Sequence, residues 1–169
     1  MNTGFPRFFL VNKMINSKTL LLAHHGTAGA LSAETLALEI AVPGQTRIVH
    51  LLVVPDFWEG MQGDDWLNNA STRDAFGSYV EGMLEADVKK QLLALEGRCK
   101  ERGLAYTAVM LQGDPAECML QTATQESVSM AVIGSPRPKG VSGYRSRMDM
   151  EKLVRGLRVP LLVAAQAAS

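Results

Sequence analysis

Charge of one sign is missing from this 169-residue sequence: seventeen Lys and Arg stand against seventeen Asp and Glu, for a formal net charge of zero. Such a chain has no global field to draw it to nucleic acid or to an anionic membrane, so neither is expected as a partner. Cysteine is scarce. Cys99 and Cys118 are the only two, and they are not spaced as metal ligands. That excludes a disulfide framework, and reduced thiols suit the cytoplasm. No apolar run approaches the roughly 20 residues of a membrane span. Phe8-Phe9-Leu10-Val11 follows Arg7, but Asn12 and Lys13 break the run at once. A secretory segment needs about 7–15 apolar residues and a small-residue cleavage site. Internal repeats and low-complexity tracts are also lacking. Met14 stands just before the first apolar run, so residues 1–13 read as an added leader or an upstream start. The whole stretch 1–17 is set apart from a domain expected over 18–166.

What is present is an ordinary globular composition, 47% hydrophobic and 20% charged. One domain of this length buries about two thirds of its unfolded surface and needs no staples. Lys18 to Ala23 holds the short run Leu20-Leu21-Leu22-Ala23, with no alternation, as in a strand buried on both faces. Ala30, Leu31, Ala33, Leu36, Ala37, Ile40 and Ala41 then recur at helical spacing, and Pro43-Gly44 ends that helix. Arg47 to Val54 is a second buried strand. Leu84, Val88, Leu92, Leu95 and Cys99 step along one face of a helix ended by Gly103. Tyr106 to Leu111 is a third strand, Met130 to Gly134 a fourth and Pro160 to Ala164 a fifth. Strands alternating with helices predict an α/β fold, a parallel sheet with helices on both faces. The segment 55–84, with Phe57, Trp58, Trp66 and Phe76, is long for a connection and reads as a lid, a partner surface or a short helix on the sheet edge.

The clearest local signal is Gly113-Asp114-Pro115-Ala116-Glu117. Asp114 is placed as N-cap, Pro115 at the first helical position and Glu117 two residues on, an aspartate form of the capping box. The helix it opens runs to about Ser127. Asp149 can cap a last short helix, with Leu153 and Val154 inside and Gly156 as its stop. In parallel sheets ligands bind beyond the carboxyl ends of the strands. Here those ends carry His24-His25-Gly26-Thr27, the 55–84 segment, Gly113-Asp114 and the loop 134–147.

These strand-end residues resemble the universal stress protein family over 18–165. Four segments match in order: LLLAHHGTAGA as first strand and turn, VHLLVV as second strand, QGDPAECML as the Gly-x-Pro turn into a helix, and VIGSPRPKGVSGYRSRMDMEKLVRGLRVPLLVA as the last third. The resemblance implies a five-stranded parallel sheet, Rossmann-like and of the adenine nucleotide alpha hydrolase kind. It also implies a stress-response role and a homodimer through the last strand. The family's ATP-binding branch carries Gly-x2-Gly-x9-Gly-Ser/Thr, whose glycines let amides approach phosphate. Here those positions are Gly134, Arg137, Arg147 and Met148, so one of four is kept. Gly140 and Ser142 match residues common within the loop. His25 stands where the family places an acidic residue toward adenosine, with Gly26 and Thr27 after it.

The resemblance therefore yields a divergent member, with His25, Gly26, Thr27, Gly113, Asp114, Gly134, Arg137, Gly140, Ser142 and Arg147 as candidate ligand residues. ATP or AMP is the cofactor class it suggests. Arg137, Lys139, Arg145 and Arg147 read either as an anion site or as a solvated loop. Neighbouring residues of a strand point to opposite faces, so His24 and His25 should not chelate one ion, and no metal site is expected. His50 reads as a satisfied core residue and Cys118 as a buried thiol. No nucleophile elbow or general base appears, so a non-enzymatic sensor is favoured. The alternatives are an ATP-binding, weakly hydrolysing protein and a ligand-free module that binds another protein.

Overall fold

The computed structural model describes residues 18–23, 28–54, 89–135 and 148–165. Expectations for the leader, for His24 to Thr27, for 55–84 and for most of the basic loop lie outside these residues. Five strands form one all-parallel sheet in the order β3-β2-β1-β4-β5. They are β1 (Thr19–Ala23), β2 (Arg47–Val54), β3 (Ala105–Gln112), β4 (Met130–Gly134) and β5 (Leu161–Ala164). Between them run α1 (Ala28–Ile40), α2 (89–101), α3 (Pro115–Gln125) and α4 (Met150–Gly156). Among the described residues no helix is long and apolar enough to cross a membrane.

The continuous apolar run of β1 is explained by its place in the middle of the sheet. Leu20, Leu21 and Leu22 are each fully buried, with neighbours on both edges and helices on both faces. Each such side chain contributes roughly 1.5–3 kcal/mol relative to an exposed one. Odd and even residues feed two separate cores. Leu21, Val49, Leu51, Ala131 and Ile133 pack with Ala116, Cys118 and Met119 of α3 and Leu153 of α4. Leu22, Ile48 and Val132 pack with Ala33, Ala37 and Leu38 of α1 and Leu95 and Cys99 of α2. The helices thus cover both faces as the alternating pattern predicts.

Helical spacing locates the buried stripes but not their borders. Leu31 is 54% exposed and Val154 61% exposed, although both were expected inside. Each sits at the rim of its stripe, where a helix on a twisted sheet leaves the surface. Glu34 corrects the α1 stripe in the other direction. Its carboxylate is buried between α1 and α2 and pairs with Arg98. Gly156 does not end α4 by a left-handed turn. It is the last helical residue, and a Cβ there would meet Leu120 Cδ1 at 2.5 Å. Its smallness serves the approach of α4 to α3. Left-handed residues follow two other helices: Gly103 (φ 66°) just past α2, as expected, and Ser127 (φ 50°) just past α3. Ser127 N–H donates to Thr124 O and Val128 N–H to Ala123 O, the paired bonds that close a helix when the residue after its cap turns left-handed.

Candidate functional site

Three of the expected ligand residues, Gly113, Asp114 and Gly134, are described. Gly113 ends the β3 connection with φ 135°, a conformation that favours glycine and turns the chain abruptly into α3. Asp114 follows in extended geometry. Its Oδ1 accepts the N–H of Glu117 at 2.9 Å, which satisfies one of the free amides of the first turn. Pro115 then supplies a helical φ without losing a needed donor.

The other half of the capping box takes a different form. Glu117 turns its carboxylate to Lys152 Nζ at 2.5 Å, and the same ammonium reaches Asp114 Oδ1 at 3.4 Å. Lys152 belongs to α4, whose own cap is Asp149, accepting from Lys152 N–H at 3.0 Å. One lysine therefore ties the starts of α3 and α4 together. The Glu117 amide, helped by Lys152, holds the Asp114 carboxyl below the usual range, while Glu117 and then Asp114 push the Lys152 ammonium upward. Asp114→Ala should cost about 1 kcal/mol by loss of the cap. Because the folded pKa of Asp114 is depressed, its contribution is full above the unfolded carboxylate pKa and fades as pH falls through the lower folded value. Thermal unfolding of both proteins should thus show a gap at neutral pH that narrows in acid.

Gly134 closes β4 against the opposite helix. A Cβ at this residue would fall within the van der Waals radius of the Gly29 carbonyl and 2.9 Å from Ala30 N. Gly29 is equally confined, since its own Cβ would lie 2.9 Å from Ser135 O. The two glycines let the first turn of α1 press backbone to backbone on the end of β4. Glycine at 134 thus has a packing reason that stands apart from any phosphate. Ser135 N–H continues the ladder to Ala164 O at 3.0 Å. Its hydroxyl oxygen is buried and has no hydrogen-bond partner among the described residues. The sequence reading passed over Ser135 as a candidate because it is no nucleophile. The available signal was its position directly after the last residue of a central strand.

Met148, at the Ser/Thr position of the family pattern, is half-buried against the core built by Cys118, Met119 and Leu153. A thioether in that place packs rather than donates. Cys118 is buried, as expected. His50 is 1% exposed, and its Nδ1 hydrogen-bonds with Tyr106 Oη at 2.8 Å. Burial pushes the Tyr106 phenol well above its ordinary range. The pair places His50 in the core, as expected, with Tyr106 as the partner of Nδ1. His25, Gly26, Thr27, Arg137, Gly140, Ser142 and Arg147 lie outside the described residues. The described ones put Gly134 and Ser135 beside the start of α1, and Gly113 and Asp114 at the start of α3.

A family model for the universal stress protein family matches residues 16–165. The fold is similar to that of the hypothetical protein MJ0577 (15% identity, TM-score 0.67, covering 90% of this chain and 98% of that one). A universal stress protein family member from Burkholderia pseudomallei is also similar (23% identity, TM-score 0.62, 88% and 96%). So is a family member from Arabidopsis thaliana solved with AMP bound (18% identity, TM-score 0.59, 89% and 93%). No curated protein matches the chain significantly.

Proposed function

Because the chain belongs to the universal stress protein family, we propose that it is a cytoplasmic stress-response module, without catalytic chemistry, that senses a small adenine-containing or anionic ligand at the carboxyl ends of β1 and β4. The observation that carries this reading is the buried hydroxyl of Ser135, unpartnered among the described residues, beside the first turn of α1. That neighbourhood is the switch point of the strand order, where the chain leaves β1 for β2 on one side and reaches β4 on the other. A related structure with AMP bound supports the choice of ligand class. His25, Gly26 and Thr27 would border the base and ribose side. Arg137, Gly140, Ser142 and Arg147 would border the phosphate, with guanidinium groups in place of glycine amides. Gly113 and Asp114 would form the far wall. A homodimer through β5 accompanies this reading, since Val163 on that edge strand is 47% exposed.

The test is native mass spectrometry of protein purified from cells, followed by calorimetric titration with ATP, ADP and AMP. Micromolar binding of at least one nucleotide is expected, weakened about tenfold by Ser135→Ala through loss of one hydrogen bond. Loss of affinity in the double variant Arg137→Ala, Arg147→Ala would support the anion role. An empty protein that binds none of the three would overturn the sensor reading and leave the 55–84 segment, with its aromatic residues, as the surface to test against protein partners.

A further inference from the structure

We propose that Lys152 is the positioning residue of the sensor site, a role that rests on the reading above: without touching the ligand, its ammonium sets the start of α4 against the Gly113–Asp114 turn, and this placement tunes affinity. Both segments that it joins belong to that reading. Gly113 and Asp114 lead into α3, and α4 opens directly after the stretch 134–147, whose Arg147 is among the residues proposed for the phosphate. Lys152 Nζ reaches Glu117 Oε1 at 2.5 Å and Asp114 Oδ1 at 3.4 Å. Its own amide donates to Asp149 Oδ1 at 3.0 Å. The backbone of the lysine is thus fixed in the first turn of α4 and its ammonium in the first turn of α3. Asp114 Oδ1 also accepts the Glu117 amide, so two constraints from two helices act on one carboxylate. Among the described residues Lys152 is the one cation that pairs across these helices.

The other contacts between α3 and α4 are apolar. Leu153 shares a core with Met119, and Gly156, at the far end of α4, lies close under Leu120. Apolar burial is non-directional, so these contacts set how near the helices come. The bonds of the ammonium set how α4 is turned and how far it slides at the end nearest the strand termini. A lysine suits this task, because three donors on a flexible stem can serve two carboxylates in different directions. Its links stand partly in water, where an ion pair adds little stability. A second ion pair on α3 gives the contrast. Arg47, at the start of β2, donates to Glu126 Oε2 at 2.9 Å and to Glu126 O at 3.0 Å, just past the opposite end of α3. Its side chain is 35% exposed, against 39% for Lys152. Each cation makes two bonds at similar exposure, one set at the carboxyl ends of the strands and the other at their amino ends. Were both merely structural, their removal would have the same consequences.

The experiment is calorimetric titration with ATP, ADP and AMP on the wild type, Lys152→Met, Lys152→Arg and Arg47→Met, with scanning calorimetry for Tm and circular dichroism to verify the fold. Methionine keeps most of the lysine stem and removes the charge. Lys152→Met and Arg47→Met should lower Tm by similar, small amounts. Only Lys152→Met should weaken nucleotide binding, by about fivefold, the low end of coupling between separate groups. Lys152→Arg keeps charge and reach and should recover most of that loss. Equal affinity in the wild type and Lys152→Met, or an equal loss in Arg47→Met, would overturn the proposal and leave the sensor reading standing. A wild-type protein that binds none of the three nucleotides would overturn both together.

Discussion

Replacing Gly134 by alanine should cost about 3 kcal/mol, the upper end of what overpacking does, because the added carbon meets backbone rather than the tip of a flexible side chain. The Gly29 carbonyl and Ala30 N stand in its way, and neither can move without shifting the first turn of α1. For a chain of this size that is a fall of roughly 6–12 °C in Tm. Gly134→Val should fare worse and accumulate as misfolded protein. The Cβ of Gly29→Ala would instead meet Ser135 O at 2.9 Å, so this variant should be milder while moving in the same direction. Differential scanning calorimetry of the three variants checks the order. A Gly134→Ala protein that melts with the wild type would show that α1 does not rest on β4 in this way. The prediction also bears on function. Loss of ligand binding in a Gly134 variant cannot be assigned to a phosphate contact, because the same change displaces the helix beside the site. Ser135→Ala removes a hydroxyl without adding bulk and is the cleaner probe.

Leu153→Ala and Val154→Ala should differ sharply, although the residues are neighbours in a helix of seven. Leu153 is fully buried in the core shared with Met119 and Leu51, whereas Val154 is 61% exposed. Truncation of a buried leucine costs about 2–5 kcal/mol, the transfer of the lost carbons plus the cavity they leave. The upper half of that range applies here, since Leu153 is the one fully buried residue of α4 and the rest of the helix offers little to collapse into the hole. Val154→Ala should fall within about 0.5 kcal/mol of the wild type, as surface changes do. Chemical denaturation at neutral pH measures both. A cost below 1 kcal/mol for Leu153→Ala would mean that α4 is not anchored to the sheet by this residue. The Lys152 links to Asp114 and Glu117 would then be what holds it.

The parallel α/β architecture was legible because its signals are local. The apolar runs at Leu20 to Leu22 and, with His50 as the one polar residue, Ile48 to Val53 read as strands buried on both faces. Asp114-Pro115 and Asp149 announce helix starts through the geometry of a single turn, and the structure places both aspartates as caps. The candidate site was less legible. Its expected residues were carried by resemblance to a family pattern rather than by a local physical signal. Ser135 was overlooked because nothing in a sequence says whether a hydroxyl will find a partner.

Periodicity and caps by themselves determined which segments are strands and helices, that the sheet is parallel and that helices cover it on both sides. These properties depend on residues within a few positions of one another. Which face each helix buries at its margins, whether Leu31 or Glu34 lies inside, and why position 134 must be glycine were decided only by tertiary structure. Each depends on an atom from a distant segment: Arg98 for Glu34, Leu120 for Gly156, the Gly29 carbonyl for Gly134.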